Sequence, residues 1–231
     1  LANGPEMVSF FRDHSAVRWT DGNHIPDFHE TPGALRGGRS VSVEAYDGRN
    51  LGNWVNKLRP PLDVVSLWGM GIASGSDLGH FFKASRKPRS ALYVVGRLAR
   101  HLRDRVLHRR GMHLVNGNAL VGRLLRSALD KGVTLIDSAP ASALLREDGR
   151  VAGAMLVTPA GPLVVRASRG VVLATGGFPH DPDRLETLAA QAGGGVGHHS
   201  AAPPENTGDG LKLAEAQGGA IAQDLASSVA M

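Results

Sequence analysis

The chain of 231 residues is 42% apolar and 20% charged, the profile of a globular protein and not of a disordered one. It has no cysteine, which excludes disulfide frameworks, Cys-ligated zinc, iron–sulfur clusters and thiol nucleophiles. No apolar run approaches the roughly 18–20 residues of a membrane span. The net charge of +5 resides in residues 1–115, which carry +7 against −2 for the remainder, and arginine outnumbers lysine 21 to five. A basic half points to nucleic acid or to an anionic cofactor or substrate, unless it only reflects an Arg- and Ala-rich genome. The opening Leu1-Ala2-Asn3-Gly4 has no basic n-region and no apolar h-region. No signal peptide is expected, the expected compartment is the cytoplasm, and the chain reads as an interior piece of a longer protein.

In chain order, Gly4-Pro5-Glu6-Met7 opens a short helix, since Pro suits a first turn and Met7, Phe10 and Phe11 recur at i, i+3, i+4. Residues 20–61 are dense in Gly, Pro, Asn and Asp, a loop too long to be passive in a compact protein. Residues 64–68 read as a strand running into Gly69-Met70-Gly71-Ile72-Ala73-Ser74-Gly75. That spacing is GxGxxxG, and no acid closes a second strand about 20 residues on, so a mobile or tightly turning loop is expected there and not a dinucleotide cradle. Residues 92–110 form an amphipathic helix. Leu92, Val95, Leu98, Ala99, Leu102, Val106 and Leu107 make its apolar face, and Arg97, Arg100, Arg103, Arg105, Arg109 and Arg110 a face expected to be solvated.

From residue 117 the pattern becomes regular. Leu120, Leu124, Leu125, Ala128 and Leu129 mark a helix that stops at Lys131-Gly132. Val133-Thr134-Leu135-Ile136 follows as a short buried strand. Residues 143–145, 151–157 and 163–167, joined through Glu147-Asp148-Gly149-Arg150 and Pro159-Ala160-Gly161, read as an antiparallel meander. Gly170-Val171-Val172-Leu173-Ala174 is continuously apolar, as in a strand buried on both faces of a parallel sheet. A last helix is expected over 211–217, closed by Gly218-Gly219. The fold class is α/β, divided into a helical, loop-rich stretch (1–115) and a regular part (116–231).

Two glycine segments carry the chemistry. In Ala174-Thr175-Gly176-Gly177 an apolar run ends in small residues, so a ligand can lie directly on backbone at the carboxyl end of a strand. A plain tight turn is the alternative. In Asn206-Thr207-Gly208-Asp209-Gly210 the glycines free a helix N-terminus whose amides can face an anion. Thr207 or Asp209 as an ordinary N-cap is the alternative. No metal site is expected: His198 and His199 point apart in extended chain, and no carboxylate follows them or His180 at ligand spacing. The absence of a G-x-S-x-G elbow sets aside a serine hydrolase.

Taken together, the helix, the Asp148-Gly149-Arg150-Val151-Ala152-Gly153 hairpin, the 170–178 run and the 206–210 segment resemble the FAD-dependent fumarate reductase/succinate dehydrogenase flavoprotein and 3-ketosteroid dehydrogenase superfamily. The resemblance is most specific over 115–222. Upstream it extends through Leu1-Ala2-Asn3-Gly4-Pro5-Glu6-Met7-Val8, Gly37-Gly38-Arg39-Ser40 and Arg59-Pro60-Pro61, which look closest to the ketosteroid-dehydrogenase-like branch. It implies a partial Rossmann-like FAD-binding domain with an antiparallel β-meander and a helical, loop-rich insertion at 1–115. It also implies FAD as cofactor. Ala141 would give backbone hydrogen bonds to the adenine, Ala174, Thr175, Gly176 and Gly177 would line the cleft, and Thr207, Gly208 and Asp209 would contact the cofactor at the second glycine segment.

The implied activity is dehydrogenation or reduction at a CH–CH bond next to a carbonyl of a small-molecule substrate, with an unidentified electron acceptor. The family's opening strand with GxGxxG and its capping domain are absent from the chain. No catalytic acid or base is therefore assigned, the chain alone is expected to be inactive, and an exposed sheet edge would favour a homo-oligomer. Fumarate and succinate enzymes place a substrate-binding His soon after the second glycine segment. Residues 225–231 hold none, which disfavours a dicarboxylate and favours an apolar enone or steroid-like substrate. Tyr46 and Tyr93, the two tyrosines, are expected to be structural. A reading from another class is a basic binding module using 92–110, whose binding would fall steeply with salt. No interleaved aromatics support it, so no nucleic-acid partner is expected.

Overall fold

The computed structural model describes residues 2–22, 25–27, 32–38, 40–188, 200 and 202–221. They mix helices with small antiparallel sheets and divide into two units, Leu1–Thr134 and Leu135–Met231.

In the first unit, α1 (Gly4–His14) carries Pro in its first turn, as expected, yet none of its residues is buried and Phe10 is exposed. Short ladders join β1 (Trp19–Asp21) to β2 (Val41–Val43) and β3 (Tyr46–Asp47) to β6 (His113–Leu114). The span expected as loop over 20–61 therefore contains β2, β3 and a run of 3-10 turns over Gly48–Lys57. The core gathers Tyr46, Leu51, Val55, Met112, Leu114 and Ala119. It is closed by α4 (Asn116–Asp130), which stops at a left-handed Gly132 as its sequence predicts. Arg123 of α4 is buried. Its guanidinium donates to the carbonyls of Ala16, Glu44 and Ala45 at 2.9, 3.1 and 3.0 Å and lies 5.1 Å above the Tyr46 ring.

The glycine-rich segment after residue 68 is a turn, as expected. Trp68 and Gly69 have φ of 53° and 79° and join β4 (Ser66–Leu67) to β5 (Met70–Gly71). Two left-handed residues match the twist of a two-residue hairpin. The strand expected at 64–68 shrinks to Ser66–Leu67, because Asp63–Val65 is a 3-10 turn. Beyond it, α2 (Ser76–Lys83) packs on α3 (Pro88–His108).

α3 departs from expectation in its apolar stripe and in Arg97, while Arg100, Arg103, Arg105 and Arg109 are exposed as expected. Ser90, Arg97, His101 and Asp104 face inward, while Leu92, Val95, Leu102 and Val106 are 60–82% exposed. The inward polar groups are answered, apart from Asp104 Oδ1, which has no hydrogen-bond partner among the described residues. Arg97 pairs with Asp77 at 2.9 Å and donates to the Gly71 carbonyl at 3.1 Å, Tyr93 donates to Asp77 at 2.8 Å, and His101 donates to the Trp68 carbonyl at 3.1 Å. Hydrogen-bond partners at those places outweigh the apolar stripe, since burial of a polar group is costly only when it is unpaired.

In the second unit, β7 (Ala141–Glu147), β8 (Arg150–Thr158) and β9 (Gly161–Arg166) form the expected meander, in order β7-β8-β9. Asp148 and Gly149, with φ of 48° and 79°, make its first turn. α5 (Pro182–Leu188) and α6 (Asp209–Glu215) follow. The segments expected as buried parallel strands differ. Residues 133–136 and 170–174 belong to no ladder among the described residues, Val133 and Ile136 are half exposed, and Val172 is 90% exposed. An apolar run becomes a strand only when a neighbour completes its hydrogen bonds.

Candidate functional site

The two glycine segments singled out in the sequence come together in the second unit. The Gly208 amide donates to the Gly177 carbonyl at 3.2 Å, and the His180 amide donates to the Asn206 carbonyl at 3.1 Å. Gly176 adopts φ +85°, and a Cβ there would lie 2.8 Å from Asn206 Oδ1. A Cβ on Gly210 would collide with the Thr175 hydroxyl. Glycine at 176 and 210 is thus what lets the segments close on each other. On the open side, Ala174, Thr175, Gly176 and Gly177 are all exposed, so small residues face outward along four positions, two of them bare backbone.

Ion pairs hold this junction from behind. Asp181 is buried and meets Lys212 Nζ at 2.9 Å and Arg184 Nε at 3.5 Å, and Arg184 Nη1 donates to Glu215 Oε1 at 3.2 Å. α5 and α6 are therefore tied by charge across the loop that carries Phe178 to Asp181. The Lys212 ammonium, helped by the Arg184 amide, holds the Asp181 carboxyl below its usual range. The Arg184 guanidinium does the same for Glu215. Asp181 also accepts from the Arg184 amide at 3.3 Å, capping α5. Asp181, Arg184 and Lys212 were missed as supports of the site. The signal available was Asp181-Pro182, an N-cap followed by Pro at the first helical position.

The N-cap alternative for the second segment does not describe its hydrogen bonds. Gly208 is the N-cap of α6, and the Thr207 hydroxyl donates to Asp209 at 2.9 Å, so neither Thr207 nor Asp209 caps the helix by its side chain. Ala141 sits in the meander, paired with Leu156, and no hydrogen bond joins it to the glycine segments among the described residues. β7 nevertheless reaches the end of α6, where Gln217 Nε2 donates to the Leu144 carbonyl at 3.4 Å. His180 donates through Nε2 to the Ala202 carbonyl at 3.0 Å. His198 and His199 lie outside the described residues, as do Arg39 and residues 225–231. Among the described residues no His, Asp and Glu trio is placed to hold a metal. Tyr93 donates its hydroxyl to Asp77, and Tyr46 lies in the first unit's core.

Residues 1–231 match the family described as FAD binding domain. The chain belongs to that family. FAD is the cofactor the membership brings, and the exposed small residues 174–177 fit it, since bulkier side chains there would hold a flat cofactor off the chain. Among its relatives is 4-oxocyclohex-2-ene-1-carboxylate 5-dehydrogenase of Sinomonas cyclohexanicum, 32% identical over 227 residues, covering 97% of this chain and 38% of that protein. Another is 3-oxosteroid 1-dehydrogenase of Mycolicibacterium smegmatis, 32% identical over 230 residues, covering 96% of this chain and 39% of that protein. The crystal structure of 3-ketosteroid delta1-dehydrogenase from Sterolibacterium denitrificans, in complex with 1,4-androstadiene-3,17-dione, superposes with a TM-score of 0.75 at 28% identity. That match covers 94% of this chain and 40% of the other. The chain thus spans about two-fifths of the length of the FAD-family relatives it matches. No described helix is long and apolar enough to cross a membrane.

Proposed function

We propose that this chain is the FAD-contacting part of a dehydrogenase acting on the CH–CH bond next to a ring ketone, with a ketosteroid or a smaller cyclic enone as substrate. The observation that carries the reading is the junction of 174–177 with 206–210, which leaves four small residues outward, two of them glycines. FAD, when bound, supplies the two-electron acceptor for such a dehydrogenation. Ala174, Thr175, Gly176 and Gly177 line its cleft, Thr207, Gly208 and Asp209 contact it at the second segment, and Ala141 serves the adenine. Asp181, Lys212, Arg184 and Glu215 position these segments without touching the cofactor.

In the longer protein, the apolar runs 133–136 and 170–174 take their places in a parallel, Rossmann-like sheet, which accounts for the exposure of Val172 here. The relatives named for oxosteroids and for an oxocyclohexene carboxylate support a ring ketone as the substrate class. The 231-residue chain by itself turns over no substrate.

The test is the visible spectrum of the full-length gene product, followed by turnover with 3-ketosteroids, 4-oxocyclohex-2-ene-1-carboxylate and fumarate. Flavin bands and turnover of a ring ketone are expected. A folded protein that cannot be reconstituted with FAD overturns the cofactor sites, and turnover of fumarate alone overturns the substrate class. Steroid turnover by the 231-residue chain overturns its inactivity.

A further inference from the structure

The first unit holds a cavity of about 310 Å³ bounded by the β4–β5 hairpin, the inward side of α3 and the segment after it. Five arginines and two aspartates line it. Not all of that positive charge is answered. Arg97 is taken by Asp77, and buried Asp104 is approached by Arg49 and Arg103 at 3.7 and 3.6 Å. Arg100 and Arg109 make no ion pair or side-chain hydrogen bond among the described residues. Arg110 donates through Nη1 to the Leu58 carbonyl at 2.9 Å, while its Nε is shielded from solvent and has no acceptor. A shielded donor without an acceptor and two unpaired guanidiniums around one cavity leave an anion-shaped deficit.

The walls are not all charged. Trp68, held at φ +53° by the hairpin turn, keeps its indole 71% exposed at the cavity, beside Met70. Strained backbone that displays a side chain is a recurrent feature of ligand clamps. The volume falls in the range of small-molecule pockets, about 300–1,000 Å³, which exceeds what a bare oxyanion fills.

We propose that this cavity binds an organic anion, its carboxylate or phosphate held by Arg100, Arg109 and Arg110 and its apolar body lying on Trp68. The site is lined by none of the residues of the glycine segments and stands on its own observations, whatever the fate of the flavin reading.

The experiment titrates the 231-residue chain with cyclohexanecarboxylate, cyclohexyl phosphate, inorganic phosphate and neutral cyclohexanecarboxamide. Binding is read by tryptophan emission and, independently, by equilibrium dialysis. Saturable binding of at least one organic anion is expected, with the emission change lost in Trp68→Phe. Whichever of the two organic anions binds more tightly identifies the head group. The double variant Arg100→Gln/Arg109→Gln, at two exposed positions, should bind about tenfold more weakly or worse with an unchanged circular dichroism spectrum. The proposal is overturned if the neutral amide binds as well as the anions, if the double variant binds as the parent does, or if dialysis shows no saturable binding. Inorganic phosphate binding as tightly as its cyclohexyl ester overturns the role given to Trp68.

Discussion

The first unit places charge inside, and the second uses charge as an external brace. In Leu1–Thr134 the inward residues of α3 and α4 include Arg97, His101 and Arg123, each met by a carboxylate or a carbonyl, and Asp104, which accepts from the Met112 amide. In Leu135–Met231 the meander buries only Leu144, Ala152 and Gly153, and the ion pairs of Asp181, Arg184, Lys212 and Glu215 tie two short helices together from outside the ladder. The contrast teaches that an amphipathic pattern identifies a helix more securely than it identifies the helix's buried side. Which side goes in depends on what the neighbours offer, and α3 is offered Asp77 and the carbonyls of Trp68 and Gly71.

The sharpest way to break this comparison is to remove an inward charge. Asp77→Ala strands the Arg97 guanidinium, the Tyr93 hydroxyl and the Ala73 amide, which donates to Asp77 at 2.8 Å. It should cost the first unit about 3–5 kcal/mol in urea unfolding followed by tryptophan emission. Trp19, Trp54 and Trp68 all lie in that unit, so the signal is specific to it. A loss near zero would show that the inward charges of α3 are incidental.

In the second unit the matching change is Gly176→Ala. The φ of +85° costs an alanine about 1–2 kcal/mol, and the methyl must displace Asn206. FAD affinity of the full-length protein should fall about tenfold or more while the meander's circular dichroism persists. Unchanged affinity would detach the glycine junction from the cofactor.

Acid should separate the two units. Burial, with Arg97 and Arg100 nearby, depresses the His113 pKa, against the smaller opposing pull of Asp77 and Asp104. The folded first unit prefers the neutral ring, so the unfolded chain binds more protons below about pH 6.5. Stability there should decline as pH falls from about 6.5 through the lower folded value, and His113→Gln should flatten that decline. Asp181 is also depressed, by Lys212 first. Its contribution is complete above about pH 3.9 and is lost only as pH falls through its lower folded value. Hydrogen exchange across a pH series, resolved by segment, should show the first unit loosening before α5 and α6.

The smallest expected effect is at the outer face of α3. Leu102→Ser should change stability by no more than about 0.5 kcal/mol, because the side chain is 60% exposed. A buried leucine would cost about 2–5 kcal/mol, so a large loss would restore the apolar-inward orientation.

Much of the framework was legible in the residues themselves. Pro5, the period of 120–129 ended by Lys131-Gly132, and the Asp148-Gly149 turn specify α1, α4 and the first hairpin through local chemistry that needs no distant partner. Family membership was legible for the same reason, since the two glycine segments and the hairpin between 148 and 153 keep their order along the chain. Tertiary structure alone decided the rest. It turned Arg97, His101 and Asp104 of α3 inward, brought Asn206 over Gly176, joined Asp181 to Lys212, and left the apolar runs at 133–136 and 170–174 out of any ladder among the described residues. Each of these depends on a partner distant along the chain or on a completed set of hydrogen bonds, and hydrophobic periodicity carries no record of either.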